Sequence, residues 1–156
     1  MSAMSRRRFV AGTAAALAAP IAFAPGPAVA AEHEVRMLNV GDTGIMVFEP
    51  ALLRIASGDS VTFVPVDPGH NAESIRGMLP EGARPFRGPL DKKVTTMFTE
   101  PGVYGIVCLP HLNMGMVALI VVDDPSPNLE AAKAVATSRR AQERLDAMFA
   151  KIEAGE

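Results

Sequence analysis

Cys108, His111, Met114 and Met116 fall within nine residues of chain, in the run Val107-Cys108-Leu109-Pro110-His111-Leu112-Asn113-Met114-Gly115-Met116. A thiolate and a thioether are soft donors that suit copper, and imidazole accepts either copper oxidation state. Two imidazoles and a thiolate around the ion, with a weak axial thioether, make a site for passing single electrons. The run supplies one imidazole. The second comes from His70, in the turn-rich stretch Asp67-Pro68-Gly69-His70-Asn71. Spacing alone leaves Met114 and Met116 both within reach of a metal. The pattern Cys-x2-His-x4-Met plus a distant His is far more specific than any of its members.

Each member has an ordinary alternative. Cys108 is the only cysteine, so it makes no internal disulfide. By position alone an inert buried thiol is its default, and its neighbours argue for a ligand instead. A Cys/His pair can also act as nucleophile and base, but that needs an orienting polar group, and this run is apolar. Methionines in strands are usually core, which covers Met37, Met97 and Met78. His33 has no Cys or Met nearby in sequence and reads as an ordinary polar residue.

The elements that must position these residues read as β from Glu34 to Val122. Short apolar runs cover Val35–Leu38, Ile45–Phe48, Leu52–Ala56, Val61–Val66, Val94–Thr99, Val103–Cys108 and Met116–Val122. Turn residues separate them: Gly41-Asp42, Ser57-Gly58-Asp59, Asp67-Pro68-Gly69 and Pro101-Gly102. Pro101-Gly102 suits the centre of a type II turn, which predicts a hairpin between Val94–Thr99 and Val103–Cys108. The prolines and glycines of Gly77–Leu90 predict a surface loop crossing one side. After Asp123 the pattern turns helical. Ser126-Pro127 suits a cap and first turn for a helix over Leu129–Ala136, and Thr137-Ser138 can end it and cap a second. In the second helix Leu145, Met148, Phe149 and Ile152 share one face, expected to pack on the sheet.

The chain has 156 residues, nearly half of them hydrophobic, which suits one packed domain. Its start is of another kind. Ser5-Arg6-Arg7-Arg8-Phe9-Val10, an apolar Ala-rich stretch and Ala28-Val29-Ala30 have the layout of a secretory signal, with paired arginines of the twin-arginine type. Gly12, Pro20, Pro25, Gly26 and Pro27 interrupt that stretch well short of the ~20 residues a membrane span needs. The expected organisation is a cleaved signal over 1–30, a β-sandwich over 31–123 and a helical extension over 124–156. The whole chain has net charge −2, and without the three arginines of the signal it is −5. That balance argues against a nucleic-acid partner.

Taken together, these residues resemble the cupredoxins, the type 1 or blue copper proteins, and within them the pseudoazurin-like branch. The matching stretches are Met37-Leu38-Asn39, Met46-Val47-Phe48-Glu49-Pro50, Gly58-Asp59-Ser60-Val61-Thr62-Phe63, Pro65-Val66-Asp67, Gly69-His70-Asn71, Glu73-Ser74-Ile75, Pro80-Glu81-Gly82-Ala83, Pro101-Gly102-Val103-Tyr104, the Cys108–Met116 run and Gln142-Glu143-Arg144-Leu145. The resemblance implies an eight-stranded Greek-key β-sandwich with two C-terminal α-helices, and one copper ion cycling between Cu(I) and Cu(II) near one end. It implies ligands His70, Cys108, His111 and, as the axial one, Met116, with Met114 beside the site at the surface. It also implies that the Asn71 N–H bonds the Cys108 sulfur while its side chain ties two loops, that Pro110 withholds an N–H from that sulfur, and that Met46 packs near the His111 ring.

The function that follows is a periplasmic, monomeric electron carrier without a substrate site and without membrane contact once the signal is gone. Its partner is expected to be a redox protein: a copper nitrite reductase, a cytochrome or another periplasmic oxidoreductase. The expected exit surface is His111, Pro110, Leu112 and Met114 with Met46, bordered by Arg76, Arg87 and Lys92. The family usually rings this patch with lysines, but between Ala31 and Pro125 only Lys92 and Lys93 are lysines. Weaker electrostatic steering is therefore expected. Three rival readings fit less well. Copper storage calls for clustered methionines, and the nine here are scattered. A copper enzyme needs an open position or a second site, and only His33 is left over. Zinc is disfavoured by the thioether.

Overall fold

The computed structural model describes residues 29–156, so the expected signal, apart from its last two residues, lies outside the described residues. Eight strands follow in order: β1 (Glu32–Gly41), β2 (Gly44–Glu49), β3 (Leu52–Ile55), β4 (Ser60–Pro65), β5 (Glu73–Ser74), β6 (Val94–Met97), β7 (Gly102–Val107) and β8 (Val117–Val122). They form two four-stranded sheets, ordered β2-β1-β4-β6 and β3-β8-β7-β5. Between the sheets lies an apolar layer that includes Val35, Met37, Phe48, Phe63, Ile106 and Ile120. The β-sandwich expected from the sequence is therefore present. Its eighth strand, β5, has two residues, too few to show a period.

The burial patterns explain the sequence patterns. β1 alternates exposed and buried positions at its start, as a strand with one wet face must. β7 and β8 are buried at every position. Their second face is covered by α1 (Leu129–Lys133) and α2 (Arg139–Ala154). Leu145, Met148, Phe149 and Ile152 of α2 pack with Val103, Val107, Leu119 and Val121, as the helical periodicity predicts. Burying one such side chain contributes about 2 kcal/mol. Ser138 caps α2 by accepting from Ala141 N, and Gly155 ends it in the left-handed conformation.

Several expectations need correction. Val94–Thr99 and Val103–Cys108 are not a hairpin: β6 pairs with β4, and β7 pairs with β5 and β8 in the other sheet. Pro101-Gly102 is a crossing between sheets. It is fastened by Tyr104, whose hydroxyl donates to Glu100 O at 2.7 Å and accepts from Glu100 N at 3.2 Å. Met97 is not core. It is 64% exposed on the edge strand β6, and the next residue, Phe98, enters the core instead. The first helix stops at Lys133 rather than Ala136 and begins after Asn128, not at Ser126. Asn128 spends its side chain on β7, accepting from Val103 N at 2.7 Å and donating to Val103 O at 2.8 Å. The Gly77–Leu90 segment has no regular strand, only a bridge from Arg87 to Glu73. It is not wholly superficial, because Met78 is fully buried.

His33 is the satisfied polar residue that the sequence suggests. Its Nε2 meets Asp59 Oδ2 at 2.9 Å, and Asp59 also accepts from Ala31 N at 2.7 Å and Ala56 N at 3.0 Å. The His33 bond, then those two N–H groups, hold the Asp59 carboxyl below its ordinary range. A carboxylate with a depressed folded pKa stabilises the fold fully above its unfolded value of about 4 and loses that contribution as pH falls through the folded pKa. Asp59→Asn should therefore lower the melting temperature at neutral pH, and thermal unfolding in progressively acidic buffer should show the gap to the parent protein closing below about pH 4.

Candidate metal centre

Cys108 follows the last residue of β7 and Met116 precedes the first of β8. The Val107–Val117 pair closes the neck of the loop between them, and Cys108 N donates to Met116 O at 3.0 Å. Inside the loop, His111 N donates to Cys108 O at 3.1 Å and Met116 N to His111 O at 3.2 Å. Leu109–Met114 winds as a short 3-10 turn with Pro110 in its first turn, where a missing N–H costs nothing. Gly115 ends it at φ +85°, and a Cβ there would stand 3.0 Å from Arg140 O. Only glycine suits both demands.

His70 arrives from the segment between β4 and β5. Asp91 braces it: its Oδ1 accepts from Gly69 N at 2.5 Å and His70 N at 3.2 Å, while Asp91 N donates to His70 O at 2.8 Å. Asn71 joins this segment to the ligand loop. Its Oδ1 accepts from Leu109 N at 2.9 Å, and its Nδ2 donates to Glu73 at 3.0 Å and to Gly88 O at 3.3 Å.

The result is a triangle of donor atoms. Cys108 Sγ lies 3.6 Å from His70 Nδ1 and 3.4 Å from His111 Nδ1, and the two nitrogens are 3.2 Å apart. The centre of such a triangle is about 2 Å from each corner, close to the bond length of a first-row metal to imidazole nitrogen or thiolate sulfur. Among the described residues this is the one cluster of three or more His, Cys, Asp or Glu donors close enough to hold a metal. His70, Cys108 and Met116 are fully buried, and His111 is half-buried.

Burial, then the neighbouring His111, pushes the His70 pKa down, which favours the neutral imidazole that a metal ion needs. Burial pushes the Cys108 thiol up, and the nearby backbone N–H groups of Asn71 and His111 pull the other way. A thiol held up by burial gives up its proton readily only when a cation takes its place. Two facing imidazole nitrogens beside a buried thiol thus fit a bound metal ion.

The remaining candidates spread around this centre. Pro110 is exposed, Leu112 and Met114 are half-buried, and Arg76, Arg87 and Lys92 are exposed. Arg76, Arg87, Leu109 and Leu112 line one depression of about 570 Å³ beside the loop. Arg87 is ion-paired with Glu73 at 3.1 Å. Met46 packs against the core layer that contains Cys108 and Met116. Sequence reasoning missed Asp91 and Glu73. Asp91 braces backbone 21 positions away, and Glu73 meets Arg87 only through folding, so neither role shows in local spacing.

Comparison with known proteins agrees with this geometry. Residues 35–123 match the family model described as copper binding proteins, plastocyanin/azurin family. The pseudoazurin of Paracoccus pantotrophus is 49% identical over 139 residues, covering 89% of this chain and 95% of that protein. The crystal structure of pseudoazurin from Methylobacterium extorquens AM1 superposes with a TM-score of 0.75 at 50% identity, over 78% of this chain and 98% of that one. Native pseudoazurin from Hyphomicrobium denitrificans gives a TM-score of 0.73 at 43% identity, over 77% and 97%.

Asn71→Ala should leave the Leu109 N–H and the Gly88 carbonyl without their partner. The buried Gly88 carbonyl so orphaned costs about 1–3 kcal/mol, and the more exposed Leu109 N–H costs less. The metal-free variant is expected to unfold at a clearly lower urea concentration than the parent with the slope unchanged, as chemical denaturation would show.

Proposed function

The chain belongs to the plastocyanin/azurin family of copper-binding proteins, and on that premise we propose a periplasmic carrier that delivers single electrons to a respiratory or denitrification enzyme such as a copper nitrite reductase. It is a pseudoazurin-type electron-transfer protein rather than an enzyme, with a type 1 copper site at His70, Cys108, His111 and Met116. The observation that carries the reading is the convergence of two imidazole nitrogens and one thiol sulfur within 3.2–3.6 Å of one another. Bound copper supplies the one-electron Cu(I)/Cu(II) couple.

The chain's own residues do the rest. Asn71, Asp91 and the Cys108–Met116 bond hold the donors at fixed separation, which suits a couple that must change charge with little movement. Burial of His70, Cys108 and Met116 keeps water out. His111 is the least buried of the four ligands, which supports its ring edge as the route to a partner. Pro110, Leu112, Met114 and Met46 form the apolar patch of this reading, and small redox contacts of that kind release quickly. Arg76, Arg87 and Lys92 border it. Arg87 shares its charge with Glu73, which further supports weak steering. Export by the twin-arginine route, cleavage near Ala30, one domain over 31–156 and a monomeric state complete the proposal.

Adding Cu(II) to the metal-free mature protein tests it directly. An intense visible thiolate-to-copper band that a mild reductant bleaches reversibly is expected, and a colourless but folded product overturns the reading. Cys108→Ala should abolish the colour. Met116→Leu should stay coloured with a raised reduction potential, because an axial donor to Cu(II) is gone. Stopped-flow association with an acceptor should slow by less than about tenfold from low to physiological salt, where strongly steered pairs slow far more.

A further inference from the structure

Arg144, on the second turn of α2, makes three hydrogen bonds and all of them go to backbone carbonyls. Its Nη1 donates to Met46 O and to Gly115 O, each at 2.8 Å, and its Nη2 donates to Ile45 O at 3.0 Å. No carboxylate lies within ion-pair distance of it among the described residues. A half-buried guanidinium without a counter-ion is a costly choice for plain stability. Its targets are informative. Gly115 O belongs to the peptide whose nitrogen is that of Met116. Met46 is a non-glycine residue at φ +49°, a sparsely populated conformation that persists only when its surroundings enforce it.

We propose that Arg144 is a positioning residue for the axial thioether: its guanidinium locks the Gly115–Met116 peptide to the start of β2, and so sets where Met116 stands relative to the other ligands. The other bonds around this peptide stay within the loop and its neck: Met116 N donates to His111 O, Gly115 O also accepts from Val117 N at 3.0 Å, and Cys108 N donates to Met116 O. They move with the loop. Arg144 alone refers that peptide to a separate element of the opposite sheet and to the helix. The helix is itself fixed at both sides of this contact, by Leu145 in the core and by Ser138, whose Oγ donates to Leu112 O at 2.8 Å. The planar fork is what the task needs, since one flat group must reach three carbonyls on two chain segments. Lysine keeps the charge but not the fork.

The inference rests on Met116 as the axial ligand, so its test has one arm with metal and one without. Arg144→Lys and Arg144→Met are compared with the parent protein. In the metal-free forms, hydrogen exchange at the Met116 amide should quicken by about tenfold or more, the scale of one lost charge-assisted bond, while the Leu119 amide in mid-β8 stays within about twofold. In the copper forms, the position or intensity of the visible thiolate-to-copper band should change in both variants. Unchanged exchange at Met116 overturns the proposal, as does equal quickening at Met116 and Leu119, which marks a global loss of stability. Local quickening with an unaltered visible band also overturns it, because the tether then does not act on the metal. If Arg144→Met does not fold, Arg144→Lys carries both arms. Failure of the copper reading itself shows separately, as absence of colour in the parent protein.

Discussion

Two imidazole nitrogens facing each other at 3.2 Å, with a thiol against both, would drift apart if left to themselves. Bringing them together strips water from His70 and Cys108 completely and from His111 in part, and desolvating polar groups is costly. Keeping them together is the constraint that the rest of the molecule answers to. The answer is built mostly from backbone hydrogen bonds rather than from charge pairs. Asp91 pins the two N–H groups at Gly69 and His70. Asn71 links three segments through one amide. The neck of the ligand loop is closed by the β7–β8 ladder. Each brace is local, and each hangs from an element held by a large apolar surface.

That surface explains why the helices are there. β7 and β8 carry the two ends of the ligand loop, and both are buried on both faces. The sandwich layer covers one face and α2 the other. A central strand pair enclosed in this way has no wet face on which to flex. The same helix lends Ser138 to the loop's Leu112 carbonyl, so packing and site are served by one element.

What could be read from the sequence divides along the reach of the interactions. Cys108 and His111 are legible because a single loop places them at fixed spacing, whereas the same spacing offers both Met114 and Met116 and only the family resemblance chose Met116. The apolar face of α2 is legible because 3.6-residue periodicity is local. The separation of β6 from β7 is not, since Pro101-Gly102 describes a turn but not which sheet each arm joins. Tyr104, reaching back to Glu100, is what fixes that crossing. Met97 looks like core by composition, yet an edge strand turns every second residue outward. Asp91 is invisible for a further reason: its carboxylate serves a residue 21 positions away.

The neck that joins Cys108 to Met116 has one more consequence. Because the strand register on either side is set below the loop, the eight residues from Leu109 to Met116 hang from two fixed posts. Apart from the ligands, outside side chains among the described residues hydrogen-bond to it only at Leu109, Leu112 and Gly115, and each of those contacts is to backbone. Side chains elsewhere in the loop can therefore vary and retune the metal's surroundings, while the neck keeps the register of β7 and β8.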